Sequence, residues 1–373
     1  MRVLIAAGGT AGHINPALAI AEGIASHWPG ADIHFAGRTE GMEYKLVTGA
    51  GYPFHPIEVH GFQRRISGRN LMRNMRALGH LAVAPGAARK MLRTVSPDLV
   101  IGVGGYVSGP VLLEAAGMGI KTAIHEQNAF PGVTNRLLAK RVDIVFAPNA
   151  SAVSRLGQPD KTVITGNPVR PELFTQNRVA ARQKLGGAEG QVVLLSYGGS
   201  LGALQVNRRV AELAAWHLQN RDFLHVHATG SIEKESFAVL AAELGIAGNP
   251  RFTIREYIDD MPSMLAAADL VICRAGALTL AELAAVGRAS VLIPSPNVAE
   301  NHQYYNALEY EKAGAAKVFE EKDLTAARLI ETVDAFTADP ALLREMGKAA
   351  ERLAHPEALD SIIQGLDILL RRG

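Results

Sequence analysis

Three glycines and a histidine, Gly8, Gly9, Gly12 and His13, crowd into six positions just after the apolar run Val3-Leu4-Ile5, in the stretch AAGGTAGHIN. Glycines after a strand let a backbone approach a phosphate, and a helix that opens there adds unpaired N–H groups and a positive dipole end. Histidine is the side chain best suited to moving a proton near neutral pH. A helix N-terminus disfavours imidazolium, which suits a neutral base; the plainer reading is a polar residue bonded to backbone. In AIHEQNAFPGVTNR (123–136), the polar residues His125, Glu126, Gln127 and Asn128 follow another apolar run. Burying four such side chains is costly unless they meet a ligand or each other. If the strand persists, alternation sends His125 and Glu126 to opposite faces, so the pair is not expected to share a metal.

The second half repeats the pattern. Gly198, Gly199, Ser200 and Gly202 match Gly8, Gly9, Thr10 and Gly12 at one constant offset, and GVGGYVSGP (102–110) is a third glycine cluster. None has the G-x-G-x-x-G order of a dinucleotide site, and no P-loop lysine follows. FAGRTEG lacks the acid that would hold an NAD ribose, although Arg38 could suit a 2′-phosphate and keeps an NADP reductase open. The glycines equally permit close helix–sheet packing. Thr279 and Glu282, three apart, are either a capping box or a carboxylate placed for two ribose hydroxyls. His302, Gln303 and Asn306 offer donors and acceptors that sugar hydroxyls need.

The stretch 59–97 carries eight Lys or Arg and no Asp or Glu: Arg64, Arg65, Arg69, Arg73, Arg76, Arg89, Lys90 and Arg93. Leu71, Met72, Met75, Leu78 and Leu81 interleave at helical spacing. Such a helix is a surface for anionic lipid. A merely solvated face would mix signs, and nucleic acid is not expected because Phe62 is the only aromatic residue there.

These residues need a scaffold that brings strand ends together. Strands are predicted at 2–6, 32–36, 98–103, 121–125 and 142–146, with a second set at 161–165, 192–196, 223–228, 251–254, 269–273 and 290–293. Helical stretches between them imply βαβ units and parallel sheets. The 373 residues exceed what one core serves, and TGNPVRP (165–171) is the connector between two domains. Matched turns in two such domains predict ligands at the carboxyl ends of both sheets, meeting in one cleft. Near the C-terminus Leu359, Ile362, Ile363, Leu366 and Leu370 make the stripe of a core-packing helix. Cys273 is the only cysteine, which excludes an internal disulfide and a cysteine-based metal cage. With no cleavable leader and no apolar run long enough to span a bilayer, the expectation is a cytosolic protein or one lying on a membrane from that side.

The ordered series GGTAGHINPALA, GVGGYVSGP, HEQNAFPGVTNR, GNPVR, GGSLGALQVN, CRAGALTLAEL and HQYYNA, over nearly the whole chain, resembles that of a bacterial cell-wall family. These are the UDP-N-acetylglucosamine:lipid I transferases of peptidoglycan synthesis, GT-B glycosyltransferases of family 28. The resemblance implies two Rossmann-like parallel-sheet domains facing across a deep cleft. Residues 1–165 would form the acceptor and membrane side and 166–345 the donor side, with C-terminal helices 346–373 packing back on the first domain. Ser200 and its turn would meet the donor diphosphate, Ile258 would offer backbone to uracil, and Arg170 would sit nearby. Ala277, Leu278, Thr279, Leu280 and Ala281 would contact phosphate and ribose, with Glu282 on the ribose hydroxyls. Gln303, helped by Asn128, would read the N-acetylglucosamine hydroxyls. Thr10, Ala11 and Gly12 would border sugar and diphosphate, and Gly105, Tyr106 and Ser108 the acceptor. Ala11 stands where glycine is common in relatives, which is tolerated if that residue is not left-handed.

In the implied reaction the 4-hydroxyl of the N-acetylmuramoyl sugar of lipid I attacks C1 of the donor with inversion, giving lipid II and UDP. His13 would be the base, with Glu126 the runner-up. No Asp-x-Asp motif appears, and neither metal nor cofactor is expected. Arg69, Leu71, Met72, Arg73, Met75 and Arg76 would dock on anionic inner-leaflet phospholipid, making a peripheral protein of the cytoplasmic face of the bacterial membrane. Other cell-wall synthesis and division proteins are implied partners. Two other classes share parts of this pattern. A UDP-N-acetylglucosamine epimerase would use the donor site without a membrane face, and a non-catalytic module would bind donor without turnover.

Overall fold

The computed structural model describes residues 1–59, 83–188 and 190–371. The chain divides into two compact units, residues 1–168 with 355–373, and residues 169–354. In the first unit seven strands, β1 (Arg2–Ala7), β2 (Asp32–Gly37), β3 (Phe54–Pro56), β4 (Leu99–Gly104), β5 (Lys121–His125), β6 (Ile144–Ala147) and β7 (Thr162–Ile164), form one sheet in the order β3-β2-β1-β4-β5-β6-β7. In the second, β8 (Val192–Tyr197), β9 (Phe223–Ala228), β10 (Phe252–Arg255), β11 (Leu270–Cys273), β12 (Ala289–Leu292) and β13 (Ala316–Val318) follow the order β10-β9-β8-β11-β12-β13. Every pairing is parallel.

The central strands explain why their sequences run apolar without alternation. All six residues of β4 and all but the first of β1 are buried, because helices cover both faces of the sheet. Strand order reverses between β1 and β4, and again between β8 and β11, and a crevice opens beyond the carboxyl ends at each such point. In the first unit that brings the segments after β1, β4 and β5 side by side; in the second it does so for those after β8 and β11.

Two expectations change. The strand expected at 161–165 as the start of a second set is β7, the edge of the first sheet, paired with β6. The three-residue strands β3 and β13 were not expected, being too short to show a period of two. Helix Ala358–Arg371 buries Ile362, Ile363 and Leu366 in the core of the first unit beside Ile20, Ile24 and Phe146. Burial on that scale contributes about 1.5–3 kcal/mol per side chain. Helix Pro340–Glu351 lies in the second unit. Among the described residues no helix is long and apolar enough to cross a membrane.

Candidate functional site

β1 ends at Ala7, and helix Ala11–His27 begins four residues later with Thr10 as its N-cap. Gly9 takes φ +96°, and its N–H lies 3.3 Å from a carboxylate oxygen of Glu43, a fully buried acid on helix Met42–Gly49. The expectation that this turn offers its N–H groups to a phosphate is therefore corrected at Gly9, whose donor is already taken by an anion. Glu43 also accepts the Arg38 N–H at 3.2 Å, and the Arg38 guanidinium lies 3.6 Å from Glu40. Glu43 thus holds the Arg38 backbone, while Glu40 meets its guanidinium. Ala11 is the first residue of a right-handed helix, so alanine is tolerated there.

Gly104 and Gly105, at φ +107° and +82°, carry the chain out of β4. A side chain on Gly105 would collide with the Gly8 carbonyl, and a Cβ on Gly104 would stand 2.6 Å from His13 Nδ1. Only glycine lets this turn lie on the first one and leaves room for the imidazole. Tyr106 is exposed beside them. Ser108, expected at the acceptor, is instead fully buried. Its Oγ lies 2.9 Å from the Ala6 and Gly104 carbonyls and accepts the Gly104 N–H, tying β1 to β4.

The four polar residues at the end of β5 and just beyond it meet one another. Glu126, only 2% exposed, is enclosed by donors. One oxygen accepts from Gln127 N (2.9 Å), Asn128 N (2.8 Å) and Asn128 Nδ2 (3.0 Å), the other from Gly132 N (3.2 Å) and Asn135 Nδ2 (2.8 Å). A carboxylate so saturated shapes the 126–135 loop and has no oxygen left to receive a substrate proton. His13, half-buried on the first turn of its helix, holds Gln127 Oε1 at 2.9 Å through Nδ1. Gln127 Nε2 lies 3.0 Å from the carbonyls of Val103 and His125 and 2.9 Å from His125 Nδ1. His125 Nε2 points to the Gly166 carbonyl at 3.4 Å. Burial pushes the His125 imidazole down to about 4, so it is neutral at pH 7. The neighbourhood of histidine, glutamate and glutamine was visible in sequence; the link from Gln127 back to His13, 114 positions away, was not.

In the second unit the matched turn repeats at first and then departs. Gly199 takes φ +98°, as Gly9 does, but Gly202 is left-handed where Gly12 is helical, and helix Leu204–Asn220 begins later. A side chain on Gly202 would strike the Thr229 carbonyl beyond β9. Ser200 is exposed, with its carbonyl accepting the Ser231 N–H at 3.1 Å. Ile258 is buried in the core, leaving its backbone as what it can offer a ligand.

Helix Ala277–Ala285 has Gly276 as its N-cap. Thr279 therefore lies inside the helix, and the capping-box reading of Thr279 and Glu282 is overturned. Leu280, expected at the donor, turns its side chain inward to the core, and its carbonyl accepts the Tyr310 hydroxyl at 2.6 Å. Ala277, Leu278, Thr279, Ala281 and Glu282 are half-buried. Glu282 pairs with Arg170 at 3.1 Å; burial raises its carboxyl, and the guanidinium pulls it back down. Sequence proximity could not suggest this pair, which spans 112 positions. Gln303 Oε1 accepts the Ser295 N–H at 2.8 Å, which sets the sense of its amide, and Asn306 is buried with Nδ2 toward the Ala275 carbonyl.

Arg69, Leu71, Met72, Arg73, Met75 and Arg76 lie outside the described residues. The helix over 83–95 that follows exposes Val83, Arg89, Lys90 and Arg93, with Arg89 3.1 Å from Glu114.

Comparison with known proteins adds the family. Residues 3–147 match the glycosyltransferase family 28 N-terminal domain and residues 193–362 its C-terminal domain. A protein of Acetivibrio thermocellus is 42% identical over 98% of this chain and 97% of its own, and one of Desulforudis audaxviator is 41% identical over the whole of both. Both are named UDP-N-acetylglucosamine–N-acetylmuramyl-(pentapeptide) pyrophosphoryl-undecaprenol N-acetylglucosamine transferase. The crystal structure of Acinetobacter baumannii MurG aligns over 100% of this chain and 99% of its own, at 30% identity and a TM-score of 0.78.

Proposed function

This chain belongs to glycosyltransferase family 28, and we propose that it moves N-acetylglucosamine from UDP-N-acetylglucosamine to the 4-hydroxyl of the N-acetylmuramoyl sugar of lipid I, giving lipid II and UDP. The first unit takes the acceptor and the membrane, and the second takes the donor. The observation that carries the chemistry is His13, half-buried on the first turn of a helix at the β1–β4 crevice and bonded through Nδ1 to Gln127. As base, it removes the proton of the attacking hydroxyl while the electron pair of the C1–O bond leaves with UDP. Glu126, with both oxygens occupied, anchors the loop instead. For the donor, the N-terminus of helix Ala277–Ala285 suits a diphosphate and Glu282, beside Arg170, a ribose. Release of UDP from UDP-N-acetylglucosamine only when a lipid I analogue is added tests the reaction. Release of UDP without acceptor, or epimerised donor, would overturn it.

Two results follow. UDP-N-acetylglucosamine raises the melting temperature, and Glu282→Ala weakens its binding by about 1.5–3 kcal/mol, the worth of a charge-assisted pair. Titration calorimetry checks this; unchanged affinity removes Glu282 from the donor site. Because burial raises the Glu282 carboxyl, donor affinity also begins to fall at a higher pH than an ordinary carboxylate would give.

At the membrane, Arg73 and Arg76 belong to the basic stretch that faces anionic inner-leaflet lipid, which makes this a peripheral protein of the cytoplasmic face, near other cell-wall synthesis and division proteins. Reversing both to Glu lowers binding to anionic vesicles, most at low salt, while activity on a short-chain soluble acceptor survives. Equal vesicle binding by variant and parent would take this stretch out of the membrane face.

A further inference from the structure

The polar groups around β4 and β5 can be satisfied in only one sense. Gln127 Nε2 stands 3.0 Å from two carbonyls, Val103 and His125, which accept and cannot donate. The amide nitrogen must therefore lie on that side and Oε1 on the side of His13. An oxygen 2.9 Å from His13 Nδ1 needs a proton between them, and only Nδ1 can supply it. Behind Gln127 the same logic runs on. His125 Nδ1, 2.9 Å from an amide N–H donor, must be the bare nitrogen, so its proton sits on Nε2 toward the Gly166 carbonyl. The carbonyl of Gln127 itself accepts from Asn167 Nδ2 at 2.9 Å, which holds the residue from its backbone side.

We propose that Gln127 is a positioning residue that locks His13 in the tautomer protonated at Nδ1, leaving Nε2 as the lone pair that takes the substrate proton, and that neutral His125 locks Gln127 in turn. This rests on the reading of His13 as the base. The proton balance is closed within the imidazole. The hydroxyl proton arrives on Nε2, the Nδ1 proton stays on its hydrogen bond to Oε1, and no group behind Gln127 changes charge. Such an arrangement selects a tautomer and a ring orientation without offering the imidazolium a counter-ion, which distinguishes it from a carboxylate behind a catalytic histidine. The turn at Gly104 contributes by leaving space for the ring at Nδ1.

The test uses the full-length protein labelled with ¹⁵N at histidine, with the His13 signals identified as those missing from His13→Asn. The wild type shows His13 protonated at Nδ1 and bare at Nε2. Gln127→Met, similar in length but without an acceptor, populates the other tautomer and lowers kcat roughly 10–10³-fold while KM for UDP-N-acetylglucosamine holds. Wild-type His13 protonated at Nε2, or a Gln127→Met protein with unchanged tautomer and kcat, overturns the proposal. The wild-type spectrum decides even if the variant fails to fold. Full kcat in His13→Asn would instead sink the base assignment, whatever the tautomer.

Discussion

Replacing His13 with alanine lowers kcat by about 10²–10⁴, the usual contribution of a positioned base, and leaves UDP-N-acetylglucosamine affinity where it was. The rate stays low in any buffer, because the proton acceptor has gone. Melting temperature moves little, since His13 is half-buried and gives up one side-chain bond, to Gln127. Glu126→Gln behaves in the opposite way. Its new amide group meets N–H donors where an oxygen accepted them, so buried donors lose their partners at a cost of about 3–5 kcal/mol. That variant melts earlier, and what remains folded keeps most of its kcat. Steady-state kinetics and thermal denaturation of the two variants side by side check the assignment. Near-normal kcat in His13→Ala, with Glu126→Gln inactive yet undiminished in melting temperature, would give the proton to Glu126.

Acid unfolds the second unit between roughly pH 4 and 5. Three histidines, His217, His225 and His227, are fully buried there around Ser196, whose hydroxyl lies 2.7 Å from His225 Nε2 and 2.8 Å from His227 Nδ1. His217 Nε2 adds a 3.1 Å link to His225 Nδ1, and Phe223, Phe237 and Phe252 pack against the rings. Burial pushes His217 down to about 4, His227 to about 3 and His225 well below the ordinary value. All three are neutral in the folded unit. As pH falls below the ordinary histidine value near 6.5, the unfolded chain binds protons that this core refuses, so stability is full above that point and is lost below it. With three such groups the slope approaches about 4 kcal/mol per pH unit, enough to use up ordinary stability within about two units. Fluorescence of Trp216, on helix Leu204–Asn220 beside this core, follows the transition once Trp28 of the first unit is changed to Phe. His217→Gln removes one titrating group and moves the midpoint to lower pH. An unmoved midpoint would assign the acid transition to carboxylates elsewhere.

The histidine cluster is held together by long-range partners. HVH in β9 looks like an alternating strand, and nothing local says that His225 and His227 meet Ser196 of β8, or that His217 closes the group from a helix. The same holds for Glu43. Its sequence neighbourhood is that of an exposed helix, yet it is buried under the first glycine turn and takes the Gly9 donor. Ser108, which the resemblance placed at the acceptor, is a related case, for only packing shows that its hydroxyl closes the gap between two strand ends.

What depends on local order was settled by the amino-acid sequence alone. Aliphatic runs buried on both faces make parallel strands, the second glycine of each pair, Gly9 at φ +96° and Gly199 at φ +98°, makes the two matched turns, and an ordered series of seven motifs marks the family. These follow from steric and hydrophobic preferences that act within a few residues. What depends on long-range partners was decided by the tertiary structure: that β7 closes the first sheet, that Arg170 reaches Glu282, and how differently the two candidate bases are hydrogen-bonded. Glu126 and His13 are equally suited to proton transfer by residue type. The loop folds five donors onto the carboxylate and a single amide oxygen onto the imidazole, and that difference in hydrogen bonding, made by residues up to 114 positions away, is what supports proposing the imidazole as base.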